Sequence, residues 1–289
     1  MNAISTIARR HPMAAFVGLT FAISWGIWLS LIVSSTGITT PAGAVLNALA
    51  IAGPSIGAIV VAGLLGRIRL RDLVAGLSPA RLSMRWVVTA LALPLVMMAI
   101  AILVAVALLG AAAPTFSVAL VGIIAVEFFR ILIVGGPLGE EIGWRGFALP
   151  RLQATRTAFD ASVLLGVLWG LWHIPLYFVA GTGQFETLRA GTDPAFAIGG
   201  FVGWTIGLSV LFTWLFNQSR GSLLVVILFH AAVNLAVFLP ALLGSTGLVS
   251  LLNVAVTWIV AVIVTVRFGR ATLTATSWRA KKKDALVHS

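Results

Sequence analysis

The sequence predicts an all-α, polytopic membrane protein of about eight transmembrane helices around an intramembrane cavity. Three observations predict it. The 289 residues are 60% hydrophobic and only 9% charged, far more apolar than a soluble domain of that length. Apolar runs of spanning length recur throughout, with no polar stretch long enough for a separate globular unit, so residues 1–289 read as a single integral-membrane domain. The octapeptide Gly139–Gly146, containing Glu140, Glu141 and Arg145, lies inside one of those runs. Ionisable groups there are costly and usually functional.

Arg9 and Arg10 precede the first apolar run, 13–33. The pattern resembles the start of a signal peptide, but a run of about 20 residues is long enough to span and reads as a retained first helix. The following spans are read at 44–65, 86–109, 116–152, 161–179, 196–216, 222–243 and 249–266. Gly135-Gly136-Pro137 should break the fourth and Pro175 should kink the fifth. Glycines four apart at 53/57, 166/170 and 199/203/207 predict close helix packing. The same Gly53-Pro-Ser-Ile-Gly57 matches a nucleophile pattern, but that pattern needs a strand–turn–helix setting, and here it lies within an apolar span.

The connections carry the net charge of +11 asymmetrically. Arg67, Arg69, Arg71, Arg81 and Arg85 follow span two, Arg151 and Arg156 span four, and Arg220 span six. The 267–289 tail adds three arginines and Lys281–Lys283, whereas the alternate loops hold only Arg189. The positive-inside rule therefore puts both termini and the basic tail in the cytoplasm, in a prokaryotic plasma membrane, and makes the span count even. This basic charge suits anionic lipid rather than nucleic acid. With no cysteine, thiol chemistry and disulfides are excluded.

Glu127 can pair with Arg130 at three residues' spacing and Glu141 with Arg145 at four, which leaves Glu140 unpaired within its own helix. A carboxylate without a dedicated cation suits a general base. His173 precedes Pro175, and His230 and Asn234 share a helix face. Each alone is as well read as a polar tie between helices. Counted at about 1.5 Å per residue, however, Glu140 lies roughly 16 Å from Arg151, His173 about 20 Å from Asp160 and His230 about 15 Å from Arg220. That common depth brings an acid, two imidazoles and an amide into one layer, a plausible hydrolytic centre.

At these residues the chain resembles the CPBP intramembrane proteases (CAAX prenyl protease 2 / bacteriocin-processing, or Abi, family). Its E-E-x-x-x-R, F-x-x-x-H and H-x-x-x-N/D signatures correspond to Glu140–Arg145, Trp169–His173 and His230–Asn234, with Trp169 where phenylalanine is usual. The resemblance extends over about 50–238. It implies an eight-helix intramembrane endopeptidase with a cavity open to the cytosol, acting on membrane-associated peptides or proteins. By the same resemblance Glu140 and His173 activate water, His230 and Asn234 hold the oxyanion, Glu141 and Arg145 form a structural ion pair, and Trp169 and Trp144 border the substrate pocket. The residues leave the metal question open: His173, His230 and Glu140 form a candidate zinc set, but there is no H-E-x-x-H. The Glu140-as-base argument does not require zinc. A different class of function, a peptide-binding immunity protein or proton-coupled transporter, also uses buried His, Glu and Arg. Against a transporter stands the lack of matching interrupted helices in two repeated halves.

Overall fold

A computed structural model describes residues 8–114, 117–242 and 247–274, so Lys281–Lys283 and most of the basic tail lie outside the described residues. The described chain is helical without strands. Helix α1 is Pro12–Val33, followed by α2 (Pro41–Ile51), α3 (Gly53–Leu65), α4 (Arg67–Ala75) and α5 (Met84–Leu109). Then come α6 (Val118–Val134), α7 (Pro137–Glu141), a π-helical segment over Ile142–Ala148, and α8 (Leu149–Thr155). Helix α9 (Ala158–Trp172) runs into a 3₁₀ turn at Ile174–Phe178, and α10 (Gly183–Arg189), α11 (Pro194–Gln218), α12 (Leu223–Leu242) and α13 (Gly247–Phe268) complete the bundle.

Seven stretches are long and apolar enough to cross a membrane, and the α2–α3 pair, bent by 45° at Ala52, makes an eighth if counted as one span. The span-two reading was therefore right in extent but missed its bend. Two further elements were not foreseen: α4 in the arginine-rich connection, and α10, whose N-terminus is capped by Thr182 accepting from the Phe185 amide at 3.1 Å.

The predicted breaks occur where the chemistry places them. Helix α6 stops before Gly135, and Gly136 takes φ +116°, a left-handed conformation that favours glycine. A Cβ there would also lie 2.6 Å from Glu140 Oε1 and would displace that carboxylate. Helix α9 ends one residue before His173, and Pro175 sits in the 3₁₀ turn that follows.

Two of the three glycine ladders close helix pairs. A Cβ on Gly166 would meet the Ile206 backbone at 2.5 Å and one on Gly170 the Thr205 hydroxyl at 2.6 Å, which holds α9 against α11. Gly53 and Gly57 let α3 approach Ser24 and Thr20 of α1. The third ladder is corrected: an added Cβ would meet nothing at Gly199 or Gly203, and only at Gly207 would it meet Trp258, whose indole donates to the Gly203 carbonyl at 3.1 Å.

The arginine-bearing connections gather at one end of the bundle. The Gly76 carbonyl accepts from the Leu223 amide at 2.8 Å, and Ala271 accepts from Ala158 at 2.9 Å. At the opposite end the Ala180 carbonyl accepts from Ile38 at 3.0 Å.

Candidate active site

The break in span four puts α7 at mid-bundle with its two glutamates turned inward. Ser55 of α3 donates to the Leu138 carbonyl at 3.0 Å, and Asn234 of α12 donates from Nδ2 to the Gly135 carbonyl at 3.1 Å. The serine of the apparent nucleophile pattern is thus a tie that fixes the approach to Glu140. Gly143 packs so closely on the Pro54 carbonyl that no side chain fits between them.

Glu140, His173, His230 and Asn234 line one cavity of about 240 Å³, together with Trp169. Four residues from three separate spans do come together. Their partners differ from expectation. Glu140 is not free: the Trp169 indole donates to its Oε2 at 2.6 Å, leaving Oε1 outside the hydrogen bonds found among the described residues. His173 Nδ1 lies 2.7 Å from the Trp169 carbonyl; a carbonyl only accepts, so this nitrogen carries the proton and Nε2 is left as an acceptor. Trp169 therefore fixes both groups, one with its side chain and the other with its backbone. Its role was hidden in the sequence because an indole at this position reads only as an aromatic stand-in for phenylalanine.

Glu141 and Arg145 are both fully buried and paired at 2.8 Å as their spacing implies, the π-helical turn notwithstanding. The same oxygen, Glu141 Oε1, also takes His230 Nδ1 at 2.7 Å. Arg145, Glu141 and His230 thus form a buried chain, and the pair is more than the isolated structural bridge read from the sequence. The guanidinium is sandwiched against aromatic faces, 3.8 Å from the Phe212 centroid and 4.5 Å from that of Trp169. Its Nε and Nη2, and Glu141 Oε2, find no protein partner among the described residues.

Trp144 corrects a pocket assignment. It is fully buried against Phe16 and Trp172, with centroids 5.5 and 6.0 Å away, outside the cavity lining. Phe147, Phe212, Phe229 and Leu165 are likewise inaccessible. Glu127 and Arg130 form the pair their spacing allows, at 2.7 Å, on the outer helix α6 and away from the cavity lining.

The candidate zinc set Glu140, His173 and His230 lines this cavity but is not gathered as a metal site. Among the described residues, no three His, Cys, Asp or Glu side chains are gathered closely enough to hold a metal ion. The chemistry proposed below uses the chain's own groups.

Residues 122–236 match the family model of the Type II CAAX prenyl endopeptidases, Rce1-like. CAAX prenyl protease 2 of Methanococcus maripaludis is 34% identical over 110 residues, 38% of this chain and 40% of that relative's length. The matched segment contains every cavity-lining residue discussed above with a catalytic or positioning role. Over that segment the chain is similar to the CAAX prenyl endopeptidases, and it spans less than half the length of the relative it matches.

Proposed function

We propose that the protein is an intramembrane endopeptidase cleaving membrane-associated peptides or proteins, prenylated C-terminal motifs among the candidates. The observation that carries this reading is the joint anchoring of Glu140 and His173 by Trp169 in a cavity shared with His230 and Asn234. Water held between Glu140 Oε1 and His173 Nε2 attacks the scissile carbonyl. Glu140 takes its proton and returns it to the departing amine as the C–N bond breaks. The second Asn234 N–H, and His230 through Nε2–H when its ring is doubly protonated, donate to the oxyanion. Glu141 holds that imidazolium through Nδ1 and is itself held by Arg145.

Purified protein in detergent should cleave a prenylated CAAX peptide or an apolar membrane peptide at an internal bond, whereas His173→Ala should retain about 1% of the rate or less. Wild-type protein that binds such peptides and cleaves none removes the endopeptidase reading.

Trp169→Phe tests the anchoring separately. The ring is kept and the donor to Glu140 is lost, and a hydrogen bond to a charged group contributes about 1.5–3 kcal/mol. The expected result is a kcat lower by about tenfold or more with KM little changed. An unchanged kcat would make Trp169 only a wall of the pocket.

A further inference from the structure

Helix α6 is the part of the bundle least covered by its neighbours. In Val118–Thr155, the spanning stretch it begins, 6% of the most apolar 18 residues are buried, against 28% or more in the other six. Ile124, Phe128 and Ile131 pack with Ala231 and Leu235 of α12. The other side is open: Val126, Phe129 and Ile133 are each more than half exposed. Exposed hydrocarbon alone suits lipid, but an ion pair does not. Glu127 and Arg130 lie inside this helix, the first about 13 Å along it from Val118. Their side chains are 20% and 56% exposed. Arg130 Nε donates to Glu127 Oε2 at 2.7 Å, and the Nη groups and Oε1 have no further partner among the described residues. A half-paired charge facing acyl chains is costly, whereas a protein surface that supplies the missing acceptors and donors offsets that cost.

We propose that this face of α6 is a two-fold dimer interface, occupied by α6 of a second copy of this chain. Ile123, Glu127, Arg130 and Val134 follow one another at four, three and four residues. That spacing sets them in one line along the helix, as in the seam of a helix pair. The line is apolar at both ends and carries one negative and one positive charge in its middle. A two-fold axis along the membrane normal keeps both copies in the same orientation and brings the same patch of each together. Such a line is then complementary to itself: Arg130 of each copy reaches Glu127 of the other, and the four charges sum to zero. An apolar partner helix would leave the pair as it is, and a partner with net charge would leave one charge over. Ala119, one turn before Ile123, is small and exposed, which lets a second backbone approach. The interface is independent of the cleavage chemistry, since Glu127 and Arg130 lie outside the cavity lining.

Charge reversal provides the test. Full-length protein carrying donor or acceptor dyes is reconstituted together into lipid vesicles at low density, and association is read as energy transfer between copies. Wild type should associate. Glu127→Arg puts two cations in the line and Arg130→Glu two carboxylates, so each variant should associate with itself at least about tenfold more weakly. Mixed together, the two variants should regain wild-type association, a recovery that an ion pair serving only its own helix cannot give. A second readout keeps the native charges and so does not depend on the reversed chains folding. In a chain without native cysteine, Ile123→Cys should form a disulfide-linked dimer in membranes under mild oxidation, whereas Ile259→Cys, exposed on α13, should not. Monomeric wild type, or Ile259→Cys crosslinking as readily as Ile123→Cys, overturns the dimer. Folded variants that associate like wild type, or that do not recover on mixing, overturn the charge complementarity that selects it. Crosslinking of Ile123→Cys to a different protein overturns the second copy as the occupant.

Discussion

Glu140→Gln stops cleavage and leaves the fold standing. The amide is isosteric, and its oxygen can still accept the Trp169 indole proton that Glu140 Oε2 accepts at 2.6 Å. What is lost is the proton acceptor for the attacking water, a contribution of about 10²–10⁴ in rate. Removing a buried charge offsets the weaker hydrogen bond, so the melting temperature in detergent should equal or slightly exceed that of wild type. Turnover and melting are measured on the same preparation. An early-melting Glu140→Gln would show that this carboxylate supports the fold, and retained turnover would remove it as the base.

Glu141→Gln has the opposite signature. Glu141 Oε1 holds both Arg145 Nη1 and His230 Nδ1 in a region without solvent access. Neutralising it leaves the guanidinium buried without its counter-charge, a change that typically costs about 3–5 kcal/mol. A large fall in melting temperature is expected. Adding Arg145→Met should recover part of it, because replacing a buried ion pair by apolar groups is often close to neutral. Turnover should not return with stability, since His230 has still lost the carboxylate that orients it. If Glu141→Gln/Arg145→Met regains turnover in proportion to its stability, the link from Glu141 to His230 has no catalytic weight. A Glu141→Gln that melts with wild type would show that the aromatic faces of Phe212 and Trp169 suffice to hold Arg145.

The contrast between these neighbours shows what was legible in the sequence. Helical spacing was enough to pair Glu141 with Arg145 and to separate Glu140 from that pair, because both facts are local. The break at Gly135-Gly136-Pro137 and the end of α9 before Pro175 were equally local consequences of glycine and proline. Depth counting placed Glu140, His173 and His230 in one layer, and they do line one cavity. The long-range partners were not legible. Nothing in the spacing says that His230 turns to Glu141, 89 residues away, or that the Trp169 indole reaches Glu140 across 29 residues. Trp144 misled for the same reason: a tryptophan beside an active glutamate can face the cavity or the core, and only packing against Phe16 and Trp172 decides. Gly199 and Gly203 show that small residues permit close approach without requiring it: nothing stands where a Cβ would lie, although Trp258 reaches the Gly203 carbonyl.

The buried rings of Trp144, Phe147, Phe212 and Phe229 have one more consequence. A protein that admits water to the middle of a bilayer risks becoming a conduit for ions and protons. Under the endopeptidase proposal, rings without solvent access close to the site would help keep its water from becoming such a conduit.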